Sequence, residues 1–426
     1  MVELAHYLLI GICVFIVMWA MIKVERVYQF PFFMASMVIT FILPQVSALI
    51  NNPGLVTESM LFQVLIMACL CLSMCWFGYN RPPNRKLLSK LQISLNNKKL
   101  LHSAIFLTAI GWIFGILTRQ AAITLEQGTQ WSGSVTIFLF FQQVIYIGFA
   151  IFLVHFLKKP SVINIVGTII AGFPIIQTIL AGRRQPTMTF LMIIGFCVWF
   201  MLRLAPPRWL VLIVLIAGIY IIPVVGQLRH GFWDLIFQQD WQNLKLSAED
   251  SFDALQSGTI LELRNAALVM HLATSSGNYE YGAGYWNALI FQYIPGQIIG
   301  YDFKDALQFN LQRESNLSQD GYAFPIGTTW TGIGDSYLQF GYFGCLIFAL
   351  MGVLFKTLWV SSIYQGSIVA ALLFMSLISP AMVGITHGTE RFFQELIFQV
   401  IVITLVTYYA RSSVKRQKNF KVHKIN

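Results

Sequence analysis

Charged residues are scarce in this sequence of 426 residues: Asp, Glu, Lys and Arg make up 11% of it, whereas hydrophobic residues make up 57%. Soluble domains contain about 25% charged and about 45–50% apolar residues. The apolar residues are grouped in blocks of about 20, the length needed to cross a hydrocarbon core of roughly 30 Å. The composition excludes a soluble protein and predicts an all-α protein that crosses a membrane many times.

The sequence also lacks the motifs of common nucleotide-dependent and hydrolytic enzymes. It contains no Walker A sequence, no G-x-G-x-x-G opening a cytoplasmic domain, no H-E-x-x-H and no G-x-S-x-G. Cysteines are absent from the polar loops, because all six lie in apolar runs without a neighbouring His or acidic residue. We therefore expect the cysteines to be small apolar side chains, not disulfides or metal ligands.

Eleven segments are predicted to span the membrane, at about 4–22, 30–50, 60–79, 100–118, 135–157, 161–181, 187–203, 209–226, 338–356, 366–386 and 392–410. The first has no basic segment before it and no small-residue cleavage site after it, which predicts a permanent helix instead of a signal peptide. The long connection at 227–337 separates eight spans in 1–226 from three spans and a basic tail in 338–426. Two crossings by this connection would raise the number of spans to thirteen.

The basic residues are divided unevenly between the two sets of connections. The connections 23–29, 80–99, 158–160, 203–208, 356–365 and 411–426 hold 19 of the 28 Lys and Arg residues and one of the 18 acids. Cytoplasmic loops accumulate Lys and Arg, so this set is predicted to be cytoplasmic, with the N-terminus outside and the C-terminus inside. Attraction to anionic membrane lipids accounts for the net charge of +10 without nucleic acid.

Every predicted cytoplasmic connection is short, so an enzyme of this kind must use an activated substrate that is already outside. A lipid-diphosphate-linked sugar is such a substrate. The outer segment 227–337 is too long for a simple loop, and Ser247 followed by Asp250 has the pattern of a capping box opening a helical stretch to about Ser275. The half-apolar piece 285–301 is interrupted at Pro295, which predicts an interfacial or re-entrant element.

Several cations are predicted to lie outside, next to apolar sequence. Arg183 and Arg184 form a tight turn between two spans, where they either snorkel to lipid head groups or clamp a phosphate or diphosphate through bidentate guanidinium contacts. Arg264 is predicted on a helix stripe with Leu268 and His271, either as part of the same clamp or paired with an acid such as Glu262.

His387, Arg391 and Glu395 are spaced by four residues ahead of and within the last span, so an early helix start would align them on one face. The pair Arg391 and Glu395 is either a structural salt bridge or part of a site. Asp335 is predicted at the outer lip of the ninth span, where it is a candidate general base or the counter-ion of an arginine. Asp335 and His387 are the candidate catalytic residues.

Four aromatic residues of the outer segment are candidates for stacking on sugar rings: Tyr281, Tyr285, Trp286 and Trp330. Aromatic residues at a membrane surface are also common as interfacial anchors.

Three segments of the sequence are similar to bacterial oligosaccharide repeat-unit polymerases (O-antigen polymerases, Wzy-type). These are Arg264 followed by 277–285 (GNYEYGAGY) and 293–295 (YIP), 335–344 (DSYLQFGYFG) entering a span, and the Gly-Arg-Arg turn in mid-chain. Ten or more spans and one large outer loop agree with that family. Many of its members have Glu and Asn where this chain has Asp335 and Gln339.

The resemblance implies a lipid-donor glycosyltransferase that polymerises undecaprenyl-diphosphate-linked repeat units into a surface polysaccharide such as O-antigen or capsule, without a cofactor or metal. Arg183, Arg184, Arg264 and Arg391 would hold the diphosphate. A membrane protein that regulates chain length is a further expected partner. The alternatives are an O-antigen ligase, which transfers glycan to lipid A–core, and a transporter or flippase. Transporters usually place ionisable residues in mid-span, where this chain has few.

Overall fold

The computed structural model describes residues 1–122, 134–227, 232–256, 261–311 and 328–412, within which the chain forms helices and no strand. The first half contains α1 (Val2–Ile22), α2 (Phe30–Asn51, with a π turn at Val38–Ile42), α3 (Glu58–Tyr79), α4 (Arg85–Leu91), α5 (Asn97–Ala122), α6 (Ser134–Gln142), α7 (Val144–Lys158), α8 (Val162–Leu180), α9 (Arg184–Leu202) and α10 (Arg208–Gln227). The second half contains α11 (Phe232–Phe237), α12 (Trp241–Gln256), α13 (Glu262–Ser276), α14 (Ala283–Tyr293), α15 (Gly296–Ile299), α16 (Tyr301–Ala306), α17 (Thr331–Phe340), α18 (Cys345–Tyr364), α19 (Ile368–Thr386) and α20 (Thr389–Ala410). The predicted basic tail lies outside the described residues from 413 onward.

Ten helical stretches among the described residues are long and apolar enough to cross a membrane. They are α1, α2, α3, α5, the α6–α7 stretch, α8, α9, the α17–α18 stretch, α19 and α20. This confirms an all-α, multi-pass membrane protein. The eleventh predicted span, 209–226, coincides with α10, of which Arg208–Ile219 is a shorter apolar helix.

Hydrogen bonds join the predicted cytoplasmic connections at one end of the helix bundle, which we call the basic end. Arg208 donates to the carbonyl of Ile22 at 3.3 Å, and Arg203 donates to the carbonyl of Ile363 at 3.3 Å. Three more bonds join the other connections: Asn84 N–H to Thr357 Oγ1, Ser367 to the carbonyl of Leu91, and Asn96 N–H to the carbonyl of Ala410. These bonds bring together helix ends that border five of the six predicted cytoplasmic connections: 23–29, 80–99, 203–208, 356–365 and 411–426. A cavity lies at the opposite end, which we call the cavity end.

Small residues allow the helices of the core to approach closely. A Cβ added at Gly332 would lie 2.0 Å from the carbonyl oxygen of Gly384, and one added at Gly334 would lie 2.9 Å from Ala266. Helix α17 therefore packs directly against both α19 and α13. The six cysteines are buried and free, as predicted for apolar side chains without disulfides.

The outer segment is helical, but the helix predicted to open at Ser247 begins earlier than predicted. Ser247 lies inside α12, which starts at Trp241, and the carboxylate of Asp240 accepts from the Asn243 N–H at 3.1 Å. The capping box predicted at Ser247 was therefore wrong, because Asp240 supplies the cap seven residues before. The single stretch predicted to reach Ser275 consists of two helices, α12 and α13, and residues 257–260 between them lie outside the described part.

The predicted interruption at Pro295 is confirmed. Helix α14 ends at Tyr293, and the short helix α15 starts directly after Pro295. The ninth span differs from the prediction of 338–356, because the helical stretch runs from Thr331 to Tyr364. Asp335 consequently lies inside the packed bundle with 0% of its surface exposed, not at the outer lip.

Candidate functional site

A polar cavity of about 620 Å³ lies at the cavity end of the bundle. Its walls come from the end of α5, the start of α7, the end of α8, the start of α9 and facing parts of α19 and α20. The charged and titratable side chains that line it are Arg119, Arg183, Arg184, His387, Glu395 and Tyr146. Five glutamines accompany them: Gln142, Gln143, Gln177, Gln185 and Gln399. We call this space the arginine cavity.

The tight turn between α8 and α9 places two of the arginines. Gly182 has a φ of +72°, a left-handed conformation that glycine adopts without strain, and it reverses the chain so that Arg183 and Arg184 begin α9. The N-terminus of a helix carries partial positive charge and favours anions over cations. Two arginines are therefore poorly placed for helix stability here, and an anion in the cavity would gain from both the guanidinium groups and the helix terminus.

Arg119 is the third arginine of the cavity, and the sequence analysis did not select it. It stands in the last turn of α5, and its guanidinium donates a hydrogen bond to the side-chain oxygen of Gln177. The glutamines carried a usable signal, since an amide inside an apolar span needs a polar partner. Gln142, Gln177 and Gln399 each interrupt such a run, and all three line the cavity.

His387 lies between α19 and α20 and lines the arginine cavity. Desolvation by surrounding protein, with the charges of Arg391 and Arg184, lowers the pKa of its imidazole to about 4. The ring is therefore neutral near pH 7 and carries one N–H. The Thr386 hydroxyl donates to the carbonyl of Val383 at 3.1 Å and lies 2.7 Å from Nδ1 of His387. A hydroxyl that donates to Val383 accepts a bond from Nδ1–H of His387, and in that tautomer Nε2 keeps a lone pair.

Two of the three residues of the predicted stripe, His387 and Glu395, line the arginine cavity, and Arg391 does not. His387 precedes α20 by two residues, while Glu395 lines the cavity from within that helix. Arg391 is an exposed residue that does not belong to the lining, although its charge acts on His387. Glu395 accepts from the Gln399 amide at 3.4 Å, and no ion pair within 4.0 Å joins these two described residues, Arg391 and Glu395.

Asp335 stabilises the start of the last helix. Its carboxylate accepts from the hydroxyl of Thr389 and from the N–H of Glu390, the latter at 3.2 Å. The phenol of Tyr285 lies 2.7 Å from the same Thr389 hydroxyl. A carboxylate at a helix N-terminus satisfies backbone donors and complements the helix dipole. Since Asp335 does not belong to the cavity lining, His387 is the better-placed candidate base of the two.

Arg264 does not line the arginine cavity and anchors the outer segment to the bundle. Its guanidinium donates to the carbonyl of Asn52 at 2.8 Å, and it packs over Gly54 in the connection between α2 and α3. Neighbouring Glu262 accepts from the amide of Gln45 at 3.1 Å. Burial raises the pKa of the Glu262 carboxyl, against the opposing effect of Arg184. Helix α13 thus begins within electrostatic range of the cavity, although Arg264 is not part of its lining.

None of the four candidate aromatic residues lines the arginine cavity. Tyr281 is 74% exposed, and Trp286 is 47% exposed with its indole donating to the carbonyl of Leu307 at 2.8 Å. Tyr285 packs against Phe393, and Trp330 packs against the hydrophobic core. Tyr281 and Trp286 are therefore accessible to a glycan outside the cavity, whereas Tyr285 and Trp330 serve packing.

Comparisons with protein-family models, with curated proteins and with solved structures find no match for this chain. The chemistry of the site therefore has to be read from its own residues. Three guanidinium groups suit a ligand with two or more negative charges, because each can donate two parallel hydrogen bonds to phosphate oxygens. A neutral imidazole beside them can accept a proton from a hydroxyl.

Proposed function

We propose that this protein is a glycosyltransferase that polymerises undecaprenyl-diphosphate-linked oligosaccharide repeat units at the outer face of the bacterial plasma membrane. The observation that carries the proposal is the arginine cavity, where Arg119, Arg183 and Arg184 lie together with the neutral base His387. Its position at one end of a bundle of ten candidate spans suits a substrate whose head group lies at the membrane surface. The sequence resemblance to repeat-unit polymerases agrees with this interpretation.

In the proposed reaction, a hydroxyl of a new lipid-linked repeat attacks the anomeric carbon of the growing glycan. A glycosidic bond forms, and the bond from the anomeric carbon to the diphosphate oxygen breaks. Nε2 of His387 takes the proton of the attacking hydroxyl. The arginines stabilise the negative charge that develops on the leaving undecaprenyl diphosphate, and such fixed charge stabilisation is commonly the largest catalytic contribution.

Glu395 has a different role in this proposal. A carboxylate that lines a cation-rich cavity accepts hydrogen bonds from sugar hydroxyls, and so helps to orient the acceptor. The glutamines of the cavity supply neutral donors and acceptors for the same purpose. Arg391, outside the lining, acts through its charge on His387 and not by direct contact with the substrate.

The experiment that tests this function uses the purified full chain in lipid nanodiscs, supplied with undecaprenyl-diphosphate-linked repeat units. The expected products are a ladder of longer lipid-linked glycans and an equal amount of released undecaprenyl diphosphate, both detected by mass spectrometry. Arg184→Gln and His387→Gln should abolish the ladder. Arg81→Gln, at the basic end, is the matched control and should leave it unchanged. Folded protein that neither lengthens the glycan nor releases undecaprenyl diphosphate would contradict the proposal, and consumption of a lipid A–core acceptor alone would indicate a ligase.

A further inference from the structure

An apolar groove of about 730 Å³ runs along the outside of the bundle between α5, α7 and α8. Its walls include Ile105, Ala109 and Trp112 of α5, Phe152 of α7, and Ile163 and Val166 of α8. Gly167 lets the helices close around it, because a Cβ there would lie 2.3 Å from the ring of Phe152. The groove is open to the side of the bundle that faces lipid, as the 62% exposure of Ile163 indicates.

The groove ends where the arginine cavity begins. The same three helices line both spaces: α5 contributes residues up to Trp112 to the groove and residues from Gly115 to the cavity. Helix α8 contributes residues up to Ile170 to the groove and residues from Pro174 to the cavity. Since an α-helix rises about 1.5 Å per residue, the two spaces are separated by about 5 Å along either helix.

A proline fixes the junction between the two spaces. Pro174 lies inside α8 and has no N–H, so the carbonyl of Ile170, four residues earlier, loses its usual helical donor. The indole of Trp112 donates to that carbonyl at 2.9 Å and stacks on Phe173, with 5.9 Å between the ring centroids. The ring of Trp112 is thereby held at the end of the groove, next to the entrance of the cavity.

We propose that the groove holds the hydrocarbon chain of the lipid substrate, while the diphosphate head group lies in the arginine cavity. This inference rests on the proposed function and identifies where the substrate enters, which is sideways from the bilayer between α5 and α8. From the groove to the cavity, the lining changes from apolar, at Val166, to cationic, at Arg119 and Arg184. The lipid changes in the same order, from its hydrocarbon chain to its anionic head group.

The groove orients the lipid and contributes little to its affinity. A hydrocarbon chain is surrounded by apolar groups both in the bilayer and in the groove, so there is no hydrophobic gain on transfer between them. The free energy of binding comes from the arginines, whereas the groove restricts the directions from which the head group reaches them. A bulky side chain in the groove should therefore displace the lipid chain and misplace the diphosphate.

The test compares two neighbouring residues of α8 with similar exposure. Val166, which lines the groove, is 45% exposed, and Ile165, which does not, is 41% exposed. Binding of undecaprenyl diphosphate to the full chain in nanodiscs is measured by native mass spectrometry for Val166→Trp, Ala109→Trp and the control Ile165→Trp. We expect the first two to weaken binding by about tenfold, and the control to bind as the native chain does.

A short-chain probe, geranyl diphosphate, separates the head-group site from the groove. The groove variants should bind it as the native chain does, whereas Arg184→Gln should bind neither probe. Unchanged binding of undecaprenyl diphosphate by both groove variants would overturn the inference. Native binding of the lipid without any glycan transfer would overturn the proposed function and leave the groove inference in place, so the two failures are distinguishable.

Discussion

The carboxylate of Asp335, on α17, accepts a hydrogen bond from the hydroxyl of Thr389, the first residue of α20. The two residues are 54 positions apart in the sequence, and both are fully buried. A side chain from one helix therefore caps the N-terminus of another, which fixes the position of α20 and of the cavity residues it carries.

The first prediction concerns this cap. Asp335→Asn keeps the size of the side chain but removes the charge, so we expect the unfolding free energy to fall by about 1.5–3 kcal/mol, the range for a hydrogen bond to a charged group. Activity per folded molecule should change little, because Asp335 does not line the cavity. Thermal unfolding in detergent and glycan transfer by the folded fraction measure the two effects.

Asp302→Asn, on the exposed side of α16, is the control. A stable Asp335→Asn protein without activity would assign Asp335 a catalytic role instead.

The second prediction concerns the two arginines at the start of α9. Arg183→Lys and Arg184→Lys preserve charge but replace a bidentate guanidinium with a single ammonium group. We expect glycan transfer to fall by about tenfold or more in each, with unchanged abundance of the protein in the membrane. Ladder length beside protein abundance checks this, and Arg203→Lys at the basic end should give a normal ladder. A normal ladder from both α9 variants would show that these arginines only contact lipid head groups.

The third prediction is that replacing Arg264 lowers the stability of the protein and leaves its transfer activity largely unchanged. The Arg264 guanidinium binds the Asn52 carbonyl and contacts Gly54, so a shorter or weaker donor loosens the attachment of α13 to the bundle. Arg264→Lys should lower the unfolding temperature and the abundance of the protein, while the folded fraction retains most of its transfer activity. Loss of activity at native abundance and native unfolding temperature would instead place Arg264 in the diphosphate site.

The pH dependence of transfer follows from His387. With a pKa of about 4, against an ordinary value of 6.5, its imidazole stays able to accept a proton from pH 8 down to about pH 5. Transfer should therefore decline only as the pH approaches 4. Arg391→Gln removes one of the charges that lower this pKa, so the acidic decline should move to higher pH. The pH–rate profile of both proteins measures the shift, and identical profiles would show that the charge of Arg391 does not act on the base.

The same pKa has a consequence for stability. Because the pKa of His387 is lower in the folded chain than in the unfolded chain, the unfolded chain binds a proton first as the pH falls. The contribution of neutral His387 to stability is complete above about pH 6.5 and is lost as the pH falls through about 4.

The last prediction uses the bond between Trp112 and Ile170. Trp112→Phe removes the donor of this exposed bond, and the loss of one hydrogen bond costs about 0.5–1.5 kcal/mol. Pro174→Ala restores the backbone N–H that would pair with Ile170 in a regular helix. The double variant should therefore be more stable than Trp112→Phe alone, and a double-mutant cycle of unfolding free energies measures the coupling. Strictly additive effects would show that the two substitutions act independently.

Local sequence patterns predicted the arginine turn and the two sides of the bundle. Hydropathy identifies the segments that cross the membrane, and Lys and Arg accumulate in the loops on its cytoplasmic side. The same patterns could not predict that Asp335 is buried in the bundle or that Arg119 lines the arginine cavity. Residues 331–337 look polar and small, yet Gly332 and Gly334 allow that segment to pack deep in the bundle. Its burial depends on Gly384 and Ala266, which are distant in the sequence.

Two of the four arginines predicted to converge, Arg264 and Arg391, do not line the arginine cavity, for a related reason. Arg183 and Arg184 meet the cavity through a local turn, whereas the positions of Arg264 and Arg391 depend on how α13 and α20 rotate against the bundle. Helix rotation is set by packing partners, which a stripe of charges in one sequence does not identify. The capping prediction at Ser247 was wrong because Asp240 offers the same chemistry about two turns earlier.

The burial of all six cysteines makes the natural chain a suitable background for thiol chemistry. A membrane-impermeant maleimide finds no accessible native thiol, so single cysteines introduced at exposed positions are modified without first removing the others. Lys90 at the basic end and Tyr281 at the cavity end are such positions. Differential labelling of these two in intact cells then reveals which end of the bundle faces the exterior.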